Sequence, residues 1–400
     1  MRADNGIGVA ILRAVSNPRS LRLTYCGNVH AALSVDGFVA SLERHAAPVA
    51  ASARHAGRAF GLGSWWPAPV AHAIAHDPAQ RERVRAAMER LGLPLWTLNV
   101  FPHGDFHDAV VKTAVYEPDW STEERLVYTR DCAEAAAALS APGSVVPLST
   151  LPLGYRAPGQ IADLRLMARN LARAASMLAA IEERTGVRCV LALEPEPFCM
   201  LERAADAGEF LEHWLFDEGA WPTVPESALR AHLGVCVDLC HLFVVGEDPL
   251  EAIAGLRARG IAVPKVQVSS CLEVRSREGL DELLAFAEPR YLHQTVSATG
   301  LRALDLKDVA RQRAEFERAL EGGPIRTHYH MPLWWDRDGA FGSTRRELER
   351  ALAGIAQMQE PPLCEVETYT WSVLPDAMRD APLPDLLARE LDFAAKLLCR

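Results

Sequence analysis

Short runs of apolar residues alternate along the chain with longer stretches in which apolar positions recur every three or four residues. The short runs, rich in Val, Leu and Ile, have the length of buried strands, and the longer stretches have the period of amphipathic helices. We predict strands at Leu21–Val29, Phe60–Ser64, Leu93–Val100, Val145–Leu153, Arg188–Glu194, Leu233–Asp238, Pro264–Ser269, Ile325–Pro332 and Leu363–Thr368. The clearest helices are predicted at Pro78–Leu91, Thr122–Leu139, Ile161–Arg184, Pro249–Arg259, Asp305–Glu321 and Thr344–Gln357.

This alternation predicts an α/β fold, and the count of strands favours an eight-stranded (β/α)8 TIM barrel. Nine strands are one more than the barrel needs, so we expect an insertion between late strands, within 271–360. The rival fold, a doubly wound open sheet, is disfavoured because no Gly-x-Gly-x-x-Gly pattern follows the first strand. We expect residues 1–20 to form an N-terminal extension and 21–400 a single barrel domain, since no linker or low-complexity tract divides the chain.

Composition excludes several classes of partner. The 42 Lys and Arg against 52 Asp and Glu give a net charge of −10, which is the wrong sign for binding nucleic acid. No run of about 18 uncharged apolar residues occurs, so no membrane span is expected. Most of the nine cysteines lie in apolar runs instead of framing short loops, which favours reduced thiols in the cytoplasm.

Candidate chemistry lies where strands end, because the carboxyl ends of barrel strands form the mouth of the barrel. Glu194, Asp238 and Glu367 stand at such ends, with His241 and Gln267 beside them. A buried carboxylate is costly unless it is paired, and a bound divalent cation is one partner that removes the cost. Each residue alone also has an ordinary structural interpretation, such as a salt bridge, a helix cap or a core amide. Their convergence on one mouth predicts a site for Mn²⁺, Mg²⁺, Zn²⁺ or Fe²⁺.

Further polar residues are candidates for contacting a substrate. Lys265 is two residues before Gln267, so both side chains point to the same side of their strand. His107 and His293 lie near strand ends or in mouth loops, and His328 lies in the extra predicted strand. Glu365 and Glu367 also share one side of a strand; Glu367, nearer the carboxyl end, is the predicted ligand, and Glu194 is preferred over Glu196 for a site at the strand end.

Several segments resemble a known family: Leu23–His30, Phe101–His107, Pro118–Trp120, Ser149–Tyr155, Leu193–Pro197, Tyr291–Gln294 and Glu365–Trp371. With them the chain resembles the xylose isomerase-like TIM-barrel superfamily and, within it, the EboE family of bacterial metabolite traffic proteins. The resemblance covers nearly the whole chain. It implies a barrel that works in a bacterial secondary-metabolite (ebo-type) pathway, on a sugar, polyol or cyclitol.

The resemblance also implies a set of site residues. In the superfamily, carboxylates on strands five, six and eight hold a metal together with a group, often His, on strand seven. Glu194, Asp238 and Glu367 match the carboxylates, and His241 matches a substrate-binding His. Gln267 departs from the pattern at strand seven. Either its amide oxygen or an imidazole from the extra strand, His330 or His328, would then complete the site.

These inferences lead to a metal-dependent isomerase or epimerase. Glu194 and Glu367 would remove and return a proton on opposite faces of a substrate carbon through a metal-stabilised enediolate, with His241 bonded to a substrate oxygen. The alternatives are a metal-dependent hydrolase or lyase acting on a phosphorylated or ester metabolite, and a non-catalytic trafficking barrel. Whether the chain forms a homo-oligomer is left open by the sequence.

Overall fold

Thirteen strands make up two sheets in the computed structural model, which describes residues 21–159, 161–217 and 221–398. The strands are β1 (Leu23–Tyr25), β2 (Leu62–Trp65), β3 (Leu95–Asn99), β4 (Val145–Thr150), β5 (Arg188–Leu193), β6 (Leu233–Asp238), β7 (Ala262–Val268), β8 (Leu272–Val274), β9 (Thr295–Ser297), β10 (Arg302–Ala303), β11 (Ile325–Thr327), β12 (Phe341–Ser343) and β13 (Leu363–Val366). The first sheet is parallel, with eight strands in the order β1-β13-β7-β6-β5-β4-β3-β2. The predicted N-terminal extension, 1–20, lies outside the described residues.

The barrel closes between β1 and β2 through a side chain. Within the described part of the chain, no strand ladder joins these two strands. Instead the Thr24 hydroxyl donates a hydrogen bond to the Gly61 carbonyl (2.6 Å) and accepts one from the Gly63 amide (3.1 Å). A Cβ atom at Gly63 would lie 2.0 Å from Glu365 Oε1 and 2.4 Å from the Tyr25 carbonyl oxygen. The seam therefore requires glycine at position 63.

Helices cover the outside of the barrel and follow its strands, as α/β barrels require. They are α1 (Val35–Ser41), α2 (Ala47–His55), α3 (Ala68–His76), α4 (Pro78–Leu91), α5 (Glu123–Ala138), α6 (Leu164–Thr185), α7 (Ala204–Trp214), α8 (Glu226–His232), α9 (Leu239–Val245), α10 (Pro249–Ala258), α11 (Gly279–Leu284), α12 (Leu306–Arg311), α13 (Arg313–Ala319), α14 (Arg345–Ala356) and α15 (Leu383–Leu398). The predicted α/β barrel is confirmed. The helix predicted over Asp305–Glu321 is interrupted at Gln312, where α12 ends and α13 begins.

The predicted insertion separates β7 from β13 and carries the second sheet. Its five antiparallel strands have the order β10-β9-β11-β8-β12. The strand predicted over Ile325–Pro332 ends at Thr327, after which the chain leaves the sheet. His328 and His330 lie in this departing segment, so the insertion brings two imidazoles to the barrel. The interpretation of 21–400 as one domain stays a prediction.

Two further observations concern the whole of the described chain. None of the described helices combines the length and the apolar composition that crossing a bilayer requires. The eight described cysteines are all buried, and each is a free thiol.

Candidate active site

A cavity of about 520 Å³ opens at the carboxyl ends of the barrel strands. Its inner part is polar and is lined by Asn28, Asn99, Glu194, Glu196, His241, His328 and Glu367. Its outer part is mainly apolar, and here Phe106, Tyr291 and Tyr369 pack with ring centroids 4.9–5.2 Å apart. The cavity thus joins a buried polar floor to an aromatic entrance.

Two carboxylates of the cavity lining, Glu194 and Glu367, meet a third, Asp238, which is fully buried and does not line the cavity. One oxygen each of Glu194, Asp238 and Glu367 lies within 4.8 Å of the other two, and none of these residues is more than 4% exposed. Burial, and then the charge of the neighbouring carboxylates, raises the pKa of Glu194 and of Glu367 well above the ordinary value. Among the described residues, Glu194 Oε2 and Asp238 Oδ2 have no hydrogen-bond partner. This cluster of three carboxylates lacks positive charge, and a bound divalent cation would supply that charge.

The local structure fixes two of these carboxylates from one side. Asp238, the last residue of β6, caps α9: its Oδ1 accepts from the His241 amide (2.9 Å) and from the Ser269 hydroxyl (2.8 Å). Glu367 Oε1 accepts from the side-chain amides of Asn28 (2.7 Å) and Asn99 (3.2 Å). The helix-cap interpretation of Asp238 is therefore correct, and it leaves Oδ2 available for a ligand.

Gln267 stands beside Asp238 in the β6–β7 pairing and is fully buried. Neither its amide nitrogen nor its amide oxygen has a hydrogen-bond partner in the described structure. A buried amide without partners costs about 1–3 kcal/mol, so this side chain also fits a cation that the amide oxygen would bind. The residues present at the mouth are consistent with a metal centre of oxygen ligands.

Three imidazoles form a second group next to the carboxylates. The Nε2 atom of His328 lies 3.1 Å from that of His241 and 3.2 Å from that of His330. The opposite ring nitrogens contact the Pro195 carbonyl (2.9 Å, His241), Gln294 Oε1 (2.8 Å, His328) and the Glu367 carbonyl (2.6 Å, His330). Burial lowers the pKa of His330 to about 4 and that of His328 well below its ordinary value, so both rings are neutral at pH 7.

Comparison with known proteins now identifies the barrel. The sequence matches the family model of the xylose isomerase-like TIM barrel over residues 49–269, just over half of the 400-residue chain. The chain belongs to this family. No protein among those with curated descriptions matches it. The closer resemblance to the EboE family stays a prediction.

Solved structures similar to this xylose isomerase-like barrel include sugar epimerases. An L-ribulose 3-epimerase is 12% identical, with 95% of each chain covered and a TM-score of 0.49. A D-psicose 3-epimerase from Clostridium cellulolyticum H10 is 13% identical, covering 95% of this chain and 99% of that chain, with a TM-score of 0.47. The IolI protein with a bound zinc atom is 11% identical, covering 94% and 98%, with a TM-score of 0.46.

Three residues predicted to contact a substrate are not among the described residues that line the cavity. Lys265 lies below the floor of the xylose isomerase-like barrel, where its Nζ is 2.6 Å from Glu365 Oε2 and both side chains are fully buried. His107 Nε2 contacts the Asn28 carbonyl (2.8 Å). His293 contacts the His328 carbonyl (3.0 Å) through Nδ1 and a carboxylate through Nε2. The contacts of all three side chains support the site. Glu365 is paired with Lys265.

Sequence reasoning missed the residues that hold the carboxylates and the imidazoles. Asn28 follows β1 and Asn99 ends β3, so the rule that strand ends form the mouth would have found both. Gln294 Nε2 donates to Glu196 Oε1 (3.0 Å), and the Tyr116 hydroxyl donates to the same oxygen (2.6 Å). Because Glu196 is held in this network, it is less available than Glu194 for a ligand.

Proposed function

We propose that this chain is a divalent-metal-dependent isomerase or epimerase acting on a small sugar, polyol or cyclitol. The observation that carries the proposal is the meeting of three buried carboxylates, two of which have unpartnered oxygens and two of which line an open cavity. Glu194, Asp238 and Glu367 would hold the cation, with the amide oxygen of Gln267 as the fourth ligand. A divalent cation bound there would act as a Lewis acid on substrate oxygens.

Glu194 and Glu367 are suited to moving a proton. The raised pKa of each carboxyl brings it closer to the pH at which it would both accept and donate a proton. They come from β5 and from the end of β13, and β6 and β7 lie between those strands in the sheet. Two carboxyls presented from separated strands can face a substrate carbon from two directions. One would remove the proton and the other would return it.

The charge of the cavity supports a neutral substrate. Lys112 is the one lysine or arginine among the described lining residues. Its Nζ is already held by the Glu288 carbonyl (3.0 Å), the Tyr291 carbonyl (2.5 Å) and Asp305 Oδ2 (2.8 Å). A phosphate would find carboxylates and no free cationic side chain, so polyhydroxylated substrates without phosphate are favoured.

Metal-dependent hydrolysis is the second candidate. The observation that favours it is the group of three imidazoles, because hydrolases that activate water often use nitrogen-rich or two-metal centres. A purely trafficking barrel is a weaker candidate, since binding without chemistry gives no reason for three buried carboxylates to meet in one place. The ebo-type pathway and a cytoplasmic location stay predictions.

Metal content and proton exchange test the proposed function. We expect protein purified without chelator to carry a divalent metal, measured by elemental mass spectrometry, and to exchange a carbon-bound proton of some ketose, polyol or cyclitol for deuterium in heavy water, measured by NMR. Asp238→Asn and Glu367→Gln should abolish both. Glu247→Gln, which changes a half-buried carboxyl outside the cavity lining, is the control.

Absence of metal from the unaltered protein, even after addition of Mn²⁺, Mg²⁺, Zn²⁺ and Fe²⁺, would contradict the proposal. Bound metal with ester or phosphate hydrolysis and no deuterium exchange would favour the second candidate.

A further inference from the structure

Two histidines share one face of α3, on the outside of the barrel. His72 and His76 are four residues apart, so their side chains are neighbours on the helix surface, and their ring centroids lie 4.5 Å apart. They are the only polar side chains of α3, whose other residues are Ala, Val, Ile and Pro. This is the spacing at which two imidazoles of one helix can bind the same metal ion.

Both rings point at one carboxylate of α5, the helix packed against α3. This carboxylate belongs to Asp131, and only 5% of its side chain is exposed. Its Oδ2 lies 2.9 Å from His72 Nδ1, and its Oδ1 lies 2.9 Å from His76 Nε2. Three side chains from two helices therefore present possible ligand atoms within 4.8 Å of one another.

The charge of Asp131 suits a cation at this place. Burial raises the pKa of Asp131, but hydrogen bonds from His76, His72 and Arg130 outweigh burial and lower the pKa, so the group is a carboxylate at pH 7. Arg130 contacts Oδ1 (3.2 Å) with a side chain that is 44% exposed, and Oδ2 is left to His72. His76 is the last residue of α3, and the C-terminal end of a helix also favours a cation.

A divalent cation could replace the protons that now lie between the rings and the carboxylate. Zn²⁺ binds nitrogen and oxygen ligands at about 2.0–2.2 Å, so tetrahedral ligands lie about 3.3–3.4 Å apart and each ring would have to move by about 0.5 Å. The rings have room to move, because 66% of the His72 side chain and 47% of the His76 side chain are exposed. The other nitrogen of each ring can take up the displaced proton.

We propose that His72, His76 and Asp131 form a site for a zinc-like divalent cation that joins α3 to α5. Imidazoles combined with a carboxylate suit Zn²⁺, and water would fill the fourth position because both rings are open to solvent. None of the three residues is among the described residues that line the cavity. The site is therefore separate from the carboxylate centre, and the inference goes beyond the proposed function without depending on it.

Joining these two helices would stiffen the support of two mouth loops. On α5, Arg125 Nη1 donates to two main-chain carbonyls of the segment after β3 (3.0 Å each). The Tyr128 hydroxyl, one turn further along α5, donates to the carbonyl of Trp66 (2.8 Å), which lies between β2 and α3. Asp131 follows at the next turn of the same helix. A cation there would stabilise the packing of the helices that carry these loops and would take no part in the reaction.

The number of bound zinc ions tests the site. The unaltered protein and its variants are dialysed against Zn²⁺ at pH 7, and the bound metal is measured by elemental mass spectrometry. We expect His72→Gln and His76→Gln each to bind one equivalent of Zn²⁺ fewer than the unaltered protein, because each loses a ligand. Asp131→Asn should lower the affinity for the same ion by more than about 10-fold, since losing even a group that supports a ligand costs that much.

The matched control is His55→Gln. His55 ends α2 as His76 ends α3, and it is likewise exposed, so this variant should bind as many Zn²⁺ ions as the unaltered protein. Stability gives a second measurement. Saturating Zn²⁺ should raise the melting temperature of the unaltered protein more than that of His76→Gln, because an ion that binds only the folded state stabilises it. Circular dichroism checks the fold of each variant.

The outcomes keep this site apart from the carboxylate centre. A Zn²⁺ ion that is lost in both histidine variants and retained in Glu367→Gln supports the outer site, whether or not the carboxylate centre binds metal. Equal binding of Zn²⁺ by the unaltered protein and both histidine variants would overturn it. Loss in the histidine variants with unchanged affinity in Asp131→Asn would overturn the joining of α3 to α5.

Crystals provide the decisive measurement if Asp131→Asn fails to fold. Anomalous scattering at the zinc edge is then recorded from crystals of the unaltered protein soaked in Zn²⁺. A peak between His72, His76 and Asp131 supports the site, and its absence overturns it.

Discussion

The ion pair beneath the cavity floor offers a quantitative test. Lys265 Nζ and Glu365 Oε2 are 2.6 Å apart, and both side chains are fully buried. At an effective dielectric constant of about 20, two unit charges at that distance attract by about 6 kcal/mol. The variant Lys265→Met keeps the length and apolar stem of the side chain but leaves Glu365 without its counter-charge.

We expect Lys265→Met to lower the free energy of unfolding by about 3–5 kcal/mol, the usual cost of breaking one side of a buried pair. The double variant Lys265→Met with Glu365→Leu should recover most of the loss, because neither charge is then buried. Urea unfolding followed by circular dichroism, at pH 7 on metal-free protein, measures all four members of the cycle.

A loss below about 1 kcal/mol in Lys265→Met, or a double variant as unstable as the sum of the two single variants, would refute the reasoning. The same substitution has a second consequence at the floor. The positive charge of Lys265 lowers the pKa of Glu194 and Glu367, against the larger effect of burial. Its removal should therefore raise both pKa values further.

Two other substitutions test the β1–β2 seam and a buried carboxyl of α15. Gly63→Ala should destabilise the barrel by several kcal/mol in urea unfolding because its Cβ would overlap the carboxylate and the carbonyl that face it, whereas Gly104→Ala, with nothing within 4 Å, should be neutral. Burial raises the pKa of Glu390 from 4.5 to about 8. Because the folded value is the higher one, the stability it contributes is complete below the unfolded value and is lost as pH rises through 8, at up to about 1.4 kcal/mol per unit. Glu390→Gln should remove this slope, and an unchanged slope in unfolding free energy between pH 5 and 9 would contradict the assignment.

The parts of the fold that repeat were predictable from the sequence. The βα alternation located all eight barrel strands, and β6 (Leu233–Asp238) has the predicted bounds because a fully apolar run ends there in a charged residue. The small sheet of the insertion was not predicted as such. Its strands are two or three residues long, and so short a segment shows no period.

The carboxylates of the site were predictable from the sequence. The residues that contact them were much less predictable. Strand position alone placed Glu194, Asp238 and Glu367 at one mouth. The alternation of side chains along the strand correctly predicted that Lys265 points into the barrel. It does not predict which inward-pointing carboxylate of the neighbouring strand pairs with Lys265. Glu365 has the same parity and pairs with it. The convergence of His328 with His241 depends on the path of the insertion across the barrel, which no local pattern encodes.

The junction between β1 and β2, closed through Thr24, should open more readily than the other junctions of the barrel wall. Seven junctions of the wall are ladders of backbone hydrogen bonds, whereas β1 and β2 are joined through one hydroxyl. Transient separation costs least where fewest bonds break, so amide protons flanking the seam should exchange with solvent before those of the other barrel strands. Asn28, whose side-chain amide donates a hydrogen bond to Glu367, is the third residue after the end of β1. Transient opening of the wall at this junction would therefore loosen the contact that holds Glu367. Glu194 and Asp238, at the ends of β5 and β6, would stay in place.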